Sequence, residues 1–134
     1  MRILSILKPD LILLKDTYTI YKFKSSFKTP GWIENSEFYS VTKTKDELSI
    51  VCKQMDVKLP IGGVVDKNWR MIKIIGPLDL SLTGIIAEIS GVLAESLVPV
   101  FTISTYHTDY FMVKEENLDK AIMALKENGY NIFV

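Results

Sequence analysis

A chain of 134 residues has room for one ordinary domain or two very small ones. Its 48% hydrophobic and 10% aromatic content argue against disorder, and 16 basic residues balance 16 acidic ones, which removes the broad electrostatic footprint of a nucleic-acid binder. A single cysteine, Cys52, excludes an intrachain disulfide and fits a reducing compartment. In MRILSILKPD the apolar run is cut by Lys8 and Pro9, short of a signal-peptide core, and no segment nears the ~18 uninterrupted apolar residues of a membrane span. The expectation is a soluble, cytoplasmic protein with neither nucleic acid nor membrane as partner.

In chain order, Thr17 to Lys24 (TYTIYKFK) alternates as a strand. A Pro30-Gly31 break follows, and WIENS leaves space for one helical turn. Phe38 to Thr42 and Ser49 to Cys52 supply two further strands. Between them TKDEL offers Thr44 as an N-cap, with Asp46 and Glu47 in a first helical turn. Lys58 to Asn68, carrying Pro60 and Gly62-Gly63, is the expected joint, which sets domain boundaries at residues 1–62 and 63–134.

The second half is more regular. Trp69 to Ile75 is a β-branched run stopped by Gly76-Pro77. From Leu82, helical spacing links Ile85, Ile86, Ile89, Val92, Leu93 and Leu97, with Glu88 and Glu95 on the solvent side, Asp79 or Ser81 as cap, and Pro99 as the stop. Val100 to Tyr106 alternates, placing Phe101, Ile103 and Thr105 on one face and Thr102, Ser104 and Tyr106 on the other. Tyr110 to Val113 returns as the second arm of a hairpin. Leu118, Ala121, Ile122 and Leu125 mark a second helix, capped by Asn117, supported by Glu116 and Lys120 at i,i+4, and ended at Gly129. Tyr130 to Val134 closes with a strand. The order β-α-β-β-α-β within about 65 residues predicts an α+β, ferredoxin-like unit, an antiparallel sheet with both helices on one face. The first half reads as an abbreviated unit of the same plan. Each unit is small enough that it must gain burial elsewhere, most cheaply against the other half, and exposed sheet edges with small halves lead to the expectation of a homodimer.

Three segments carry a resemblance: PLDLSLTGIIAEISGVLAE, FTISTYHTDYFMVKEENLDKAI and FYSVTKTKDELSIVC. The second half resembles the ACT domain, and the whole chain is similar to tandem ACT-domain proteins of the small CASTOR-like amino-acid-binding family. The resemblance implies binding of a free amino acid or similar small effector, no catalysis, no cofactor and no metal, with a downstream protein or enzyme as a further partner. It implies a ligand site on the loop Leu82-Thr83-Gly84-Ile85, the hairpin carboxylate Asp109, the strand residues Thr102, Ser104 and Thr105, and Ser40, Val41 and Thr42 from the first half.

The chemistry of those residues is compatible with such a ligand. Unpaired N–H groups at a helix N-terminus attract a carboxylate, and Gly84 allows close approach. An acidic side chain such as Asp109 pairs with an ammonium. Structural alternatives stand beside each: Gly84 suits tight helix packing, Asp in a hairpin turn often bonds its own backbone, and Ser and Thr are ordinary strand residues. His107, the single histidine, has no nucleophile or metal partner spaced with it. The two arginines, Arg2 and Arg70, lie in no glycine-rich turn that would cradle a phosphate, and FTISTY lacks the basic residues of an RNA-binding sheet. The other function class left open is a non-catalytic protein-interaction module that has lost its ligand.

Overall fold

The computed structural model of the chain describes residues 8–75 and 84–134. Two compact units are present. One, the terminal unit, joins the N-terminal segment through Lys15 to Arg70–Val134; the other, the central unit, is Asp16–Trp69. Two long strands, β1 (Asp10–Phe23) and β4 (Val64–Ile75), contribute residues to both.

The terminal unit contains α1 (Ile85–Glu95), the hairpin β5 (Phe101–Ser104) and β6 (Asp109–Lys114), α2 (Leu118–Glu127) and the short β7 (Ile132–Phe133). Its strand order is β7-β1-β4-β6-β5. The last strand of the expected four-stranded antiparallel sheet is therefore displaced. β7 runs parallel to β1, pairing Leu11 with Ile132 and Ile12 with Phe133, and β1 takes the place beside β4. The apolar run of β1 before Asp16 lacks alternation, so no local signal marks it as a strand.

Spacing explains which helix faces are buried. Ile85, Ile89 and Leu93 recur at i, i+4 and i+8 and are almost completely enclosed, as are Ala121 and Leu125 of α2. They pack with Leu11, Ile72, Ile74, Phe111, Val113 and Tyr130 into one core. The caps proposed at Asp79 and Ser81 lie outside the described residues. Gly84, in a left-handed conformation with φ of 93°, precedes α1 and supplies no side-chain cap. A 3-10 turn, Glu115–Asn117, leads into α2, so Glu116 is not part of the α-helix and Asn117 makes no side-chain cap.

Both helices end in the same motif. After α2, the Tyr130 N–H bonds the Leu125 carbonyl and the Gly129 N–H bonds Lys126, with Gly129 at φ of 89°. After α1, the Val98 N–H bonds Leu93 and the Leu97 N–H bonds Ala94. The left-handed position there is Leu97, at φ of 60° and 82% exposed. Leu97 thus leaves the apolar stripe assigned to it: the chain reverses there, and its side chain points to water.

Glu88, expected on the solvent side of α1, is also turned inward, with its side chain 11% exposed. The Lys8 ammonium lies 2.7 Å from its Oε1, and the Tyr130 hydroxyl donates to the same oxygen at 2.9 Å. Lys8 also sits 4.6 Å from the centre of the Tyr130 ring. Burial, then the hydrogen bond to Glu88 and its negative charge, raises the Tyr130 phenol well above the ordinary tyrosine range.

The central unit pairs β3 (Leu48–Lys53) with β1 on one side and with β2 (Tyr39–Lys43) on the other, both antiparallel. Tyr21, Phe23, Ile33, Leu48, Ile50 and Cys52 form its core. The one-turn expectation at WIENS is met by a 3-10 turn, Gly31–Asn35. The helix expected at TKDEL is absent. The Thr44 hydroxyl accepts from the N–H groups of Asp46 and Glu47, both at 3.1 Å, but it closes the four-residue loop of the β2–β3 hairpin. The same side-chain chemistry serves a helix cap or a turn, and the short spacing between the strands decides for the turn.

Two measurements follow from these contacts. Leu97→Gly removes a β-carbon from a left-handed residue, a relief of ~1–2 kcal/mol that the greater freedom of glycine in the unfolded chain partly offsets. Chemical denaturation is expected to show a net stabilisation of about 0.5–1 kcal/mol. For Tyr130, the folded state holds the phenol protonated over a range in which the unfolded chain ionises. Stability is therefore intact below the ordinary tyrosine value of about 10 and falls as pH rises above it. Denaturation between pH 9 and 11 is expected to show a shallower alkaline loss in Tyr130→Phe than in the parent chain (about the ordinary tyrosine range).

Candidate functional site

The hairpin of the terminal unit carries most of the described candidate residues. Thr102 pairs across it with Phe111, and Ser104 with Asp109. The inward residues of this strand pair, Phe111 and Val113, are anchored in the core, so the hairpin is a firm platform. Thr102 and Ser104 project to the same face as their partners Phe111 and Asp109, beyond the covered part of the core, and are exposed.

The turn itself is tied by one side chain. The Thr105 N–H donates to the Thr108 carbonyl at 2.8 Å, while the Thr105 hydroxyl accepts from the Thr108 N–H at 3.0 Å and also bonds the Thr108 hydroxyl. That hydroxyl is engaged in closing the turn. His107 and Tyr106 occupy the exposed tip, their rings edge-to-face at 4.6 Å.

Asp109 is the first residue of β6, not a member of the turn. It is half-buried, and its carboxylate has no hydrogen-bond or ion-pair partner among the described residues. The turn chemistry that an aspartate often performs for its own backbone is thus carried here by Thr105, which leaves the Asp109 oxygens for another cation or donor.

Gly84 is exposed and left-handed at the start of α1. Ile85 is 1% exposed and its side chain belongs to the core, so it offers a ligand only its backbone N–H. Leu82 and Thr83 lie outside the described residues. Ser40, Val41 and Thr42 belong to the central unit, on β2, opposite Val51, Ile50 and Ser49 of β3. Val41 and Thr42 are exposed and Ser40 is half-buried.

No cluster of histidine, cysteine and carboxylate side chains able to hold a metal occurs among the described residues. Cys52 is fully enclosed, and burial pushes its thiol up to about 11, which keeps it protonated and unreactive near neutral pH. No helix among the described residues is long and apolar enough to cross a membrane.

The sequence expectations did not reach two features. The inward Glu88 was hidden by its charge, although its position three residues after Ile85 falls at the edge of the buried stripe. A cavity of about 380 Å³ in the central unit, bordered by Phe23, Phe27, Lys24 and Lys28, combines two turns far apart in the chain.

Comparisons with known proteins bear on these elements in different ways. Residues 64–127 match the family model of the ACT domain, and residues 16–58 match a second model described as an N-terminal domain. Protein Atu0741 from Agrobacterium tumefaciens has a crystal structure similar to this chain with a TM-score of 0.84, at 30% identity, covering 95% of this chain and 93% of that one. The human cytosolic arginine sensor for mTORC1 subunit 1 is 37% identical over 59 residues, which is 43% of this chain and only 18% of the sensor's length. The regulatory subunit of aspartate kinase from Thermus thermophilus shares the fold, with a TM-score of 0.62 at 11% identity, covering 92% of this chain and 99% of the subunit.

Proposed function

Because the chain belongs to the family of the Agrobacterium protein and matches the ACT domain over residues 64–127, we propose that it is a non-catalytic regulatory protein whose terminal unit binds a free amino acid. The observation that carries this is the half-buried Asp109 carboxylate, held at the start of β6 with no partner among the described residues. A carboxylate in that setting gains most from a ligand ammonium, whose charge-assisted hydrogen bonds replace lost water. The N–H groups that open α1, from Gly84 and Ile85 onward, take the ligand's carboxylate. Thr102 and Ser104 present exposed hydroxyls on the same face of the hairpin as Asp109.

The match to a cytosolic arginine sensor makes arginine the first ligand to test and a cytosolic setting the natural one. Signalling from the bound state requires a downstream protein, and a homodimer supplies the second surface that small units need for burial. The exposed strand β2, with Tyr39 and Val41 at its outer edge, is available for such pairing.

Thermal-shift screening against the twenty amino acids tests the proposal. A ligand at ~100-fold its dissociation constant adds about 2.7 kcal/mol to stability, a shift of several degrees in a chain of this size. At least one amino acid is expected to raise the melting temperature, with Asp109→Ala weakening its binding by about tenfold or more, as measured by calorimetry. If none of the twenty moves the melting curve, the interaction-module alternative replaces this one.

A further inference from the structure

The cavity of the central unit lies where two tight turns face each other. After β1, the Phe27 N–H bonds the Lys24 carbonyl at 2.9 Å; before β4, the Gly63 N–H bonds the Pro60 carbonyl at 3.0 Å. The space of about 380 Å³ between them falls within the ~300–1,000 Å³ range of small-molecule sites. Its floor is aromatic. Phe23 is buried, and Phe27 lies against it with ring centres 4.8 Å apart.

The glycines keep that floor open. A β-carbon at Gly63 would stand 3.3 Å from the Phe23 ring and 3.1 Å from the Pro60 carbonyl, and Gly62 holds a left-handed φ of 83° that turns the chain over the Lys24 stem. Ile61, at the lip, is 97% exposed, an apolar side chain with nothing over it. The rim charge has one sign: Lys24 and Lys28 line the cavity, no carboxylate does, and neither lysine is in an ion pair among the described residues.

An apolar floor with an uncompensated cationic rim suits a molecule that is apolar in its body and anionic at one end. The floor removes the body from water, the dominant favourable term, and the two ammonium groups select the sign of the head. We propose that this cavity is a second ligand site, independent of Asp109, for small anionic amphiphiles such as acyl or aryl carboxylates. The Phe23 and Phe27 rings hold the apolar part, Lys24 and Lys28 hold the anionic head, and Ile61 folds over the bound molecule.

Fluorescence titration with the anionic dye anilinonaphthalene sulfonate tests this on the whole chain, with octanoate and octylammonium as competitors of matched length and opposite charge. One saturable site is expected, displaced by octanoate and not by octylammonium, and weakening as salt is added. Both lysines are exposed, so Lys24→Glu with Lys28→Glu leaves the core intact, which circular dichroism checks. That double substitution is expected to weaken dye binding by about tenfold or more, while Asp109→Ala leaves it unchanged. Gly63→Val, which places atoms against the Phe23 ring, is expected to block binding with the rim charges retained. Equal affinity in the charge-reversed variant, displacement by octylammonium as strong as by octanoate, or the absence of a saturable site each overturns the proposal.

Discussion

The terminal unit is assembled around the Glu88 carboxylate. One oxygen receives the Lys8 ammonium and the Tyr130 hydroxyl, residues that lie 80 and 42 positions away in the chain. A charge so enclosed is costly unless it is paired, and removing one partner of a buried pair typically costs about 3–5 kcal/mol. The pairing also makes a geometric demand. It requires the N-terminal segment, α1 and the segment after α2 to meet in one register. The parallel pairing of β7 with β1 follows from the same meeting of chain ends, since Tyr130 lies two residues before β7 and Lys8 two residues before β1.

That arrangement also accounts for what could be read in the chain and what could not. Elements built from local signals were legible. The hairpin showed its alternation, α2 showed Ala121 and Leu125 on one stripe, and Gly129 marked the helix end at the expected left-handed position. Features that depend on distant partners were not. No local pattern states that a strand near the N-terminus will separate β7 from β4, or that Glu88 will meet a lysine 80 residues away. Thr44 and Leu97 are a different kind of case. Each has the right local chemistry for more than one outcome, and chain reversal within a few residues selected the turn over the helix.

The candidate site divides along the same line. Asp109 could be picked out from its place beside the hairpin, but its freedom from turn duties came from Thr105, whose hydroxyl takes that role. Ile85 contributes its side chain to the core, so at the proposed site it has only its backbone N–H to offer. The lysine-rimmed cavity is not legible in the sequence because its parts are separated by more than thirty residues, and a balanced net charge conceals a local excess. The two proposed sites, for an amino acid at the hairpin and for an anion at the two turns, call on different groups and share no residue.

Backbone amide NMR of the full chain during titration with arginine, and then with the other amino acids, tests the central claim most directly. Binding at the proposed site perturbs Gly84, Ile85, Ser104 and Asp109 together in a saturable manner, while Phe27 and Ile61 stay unmoved. Saturating perturbations confined to residues outside the terminal unit, or none with any amino acid, would contradict it.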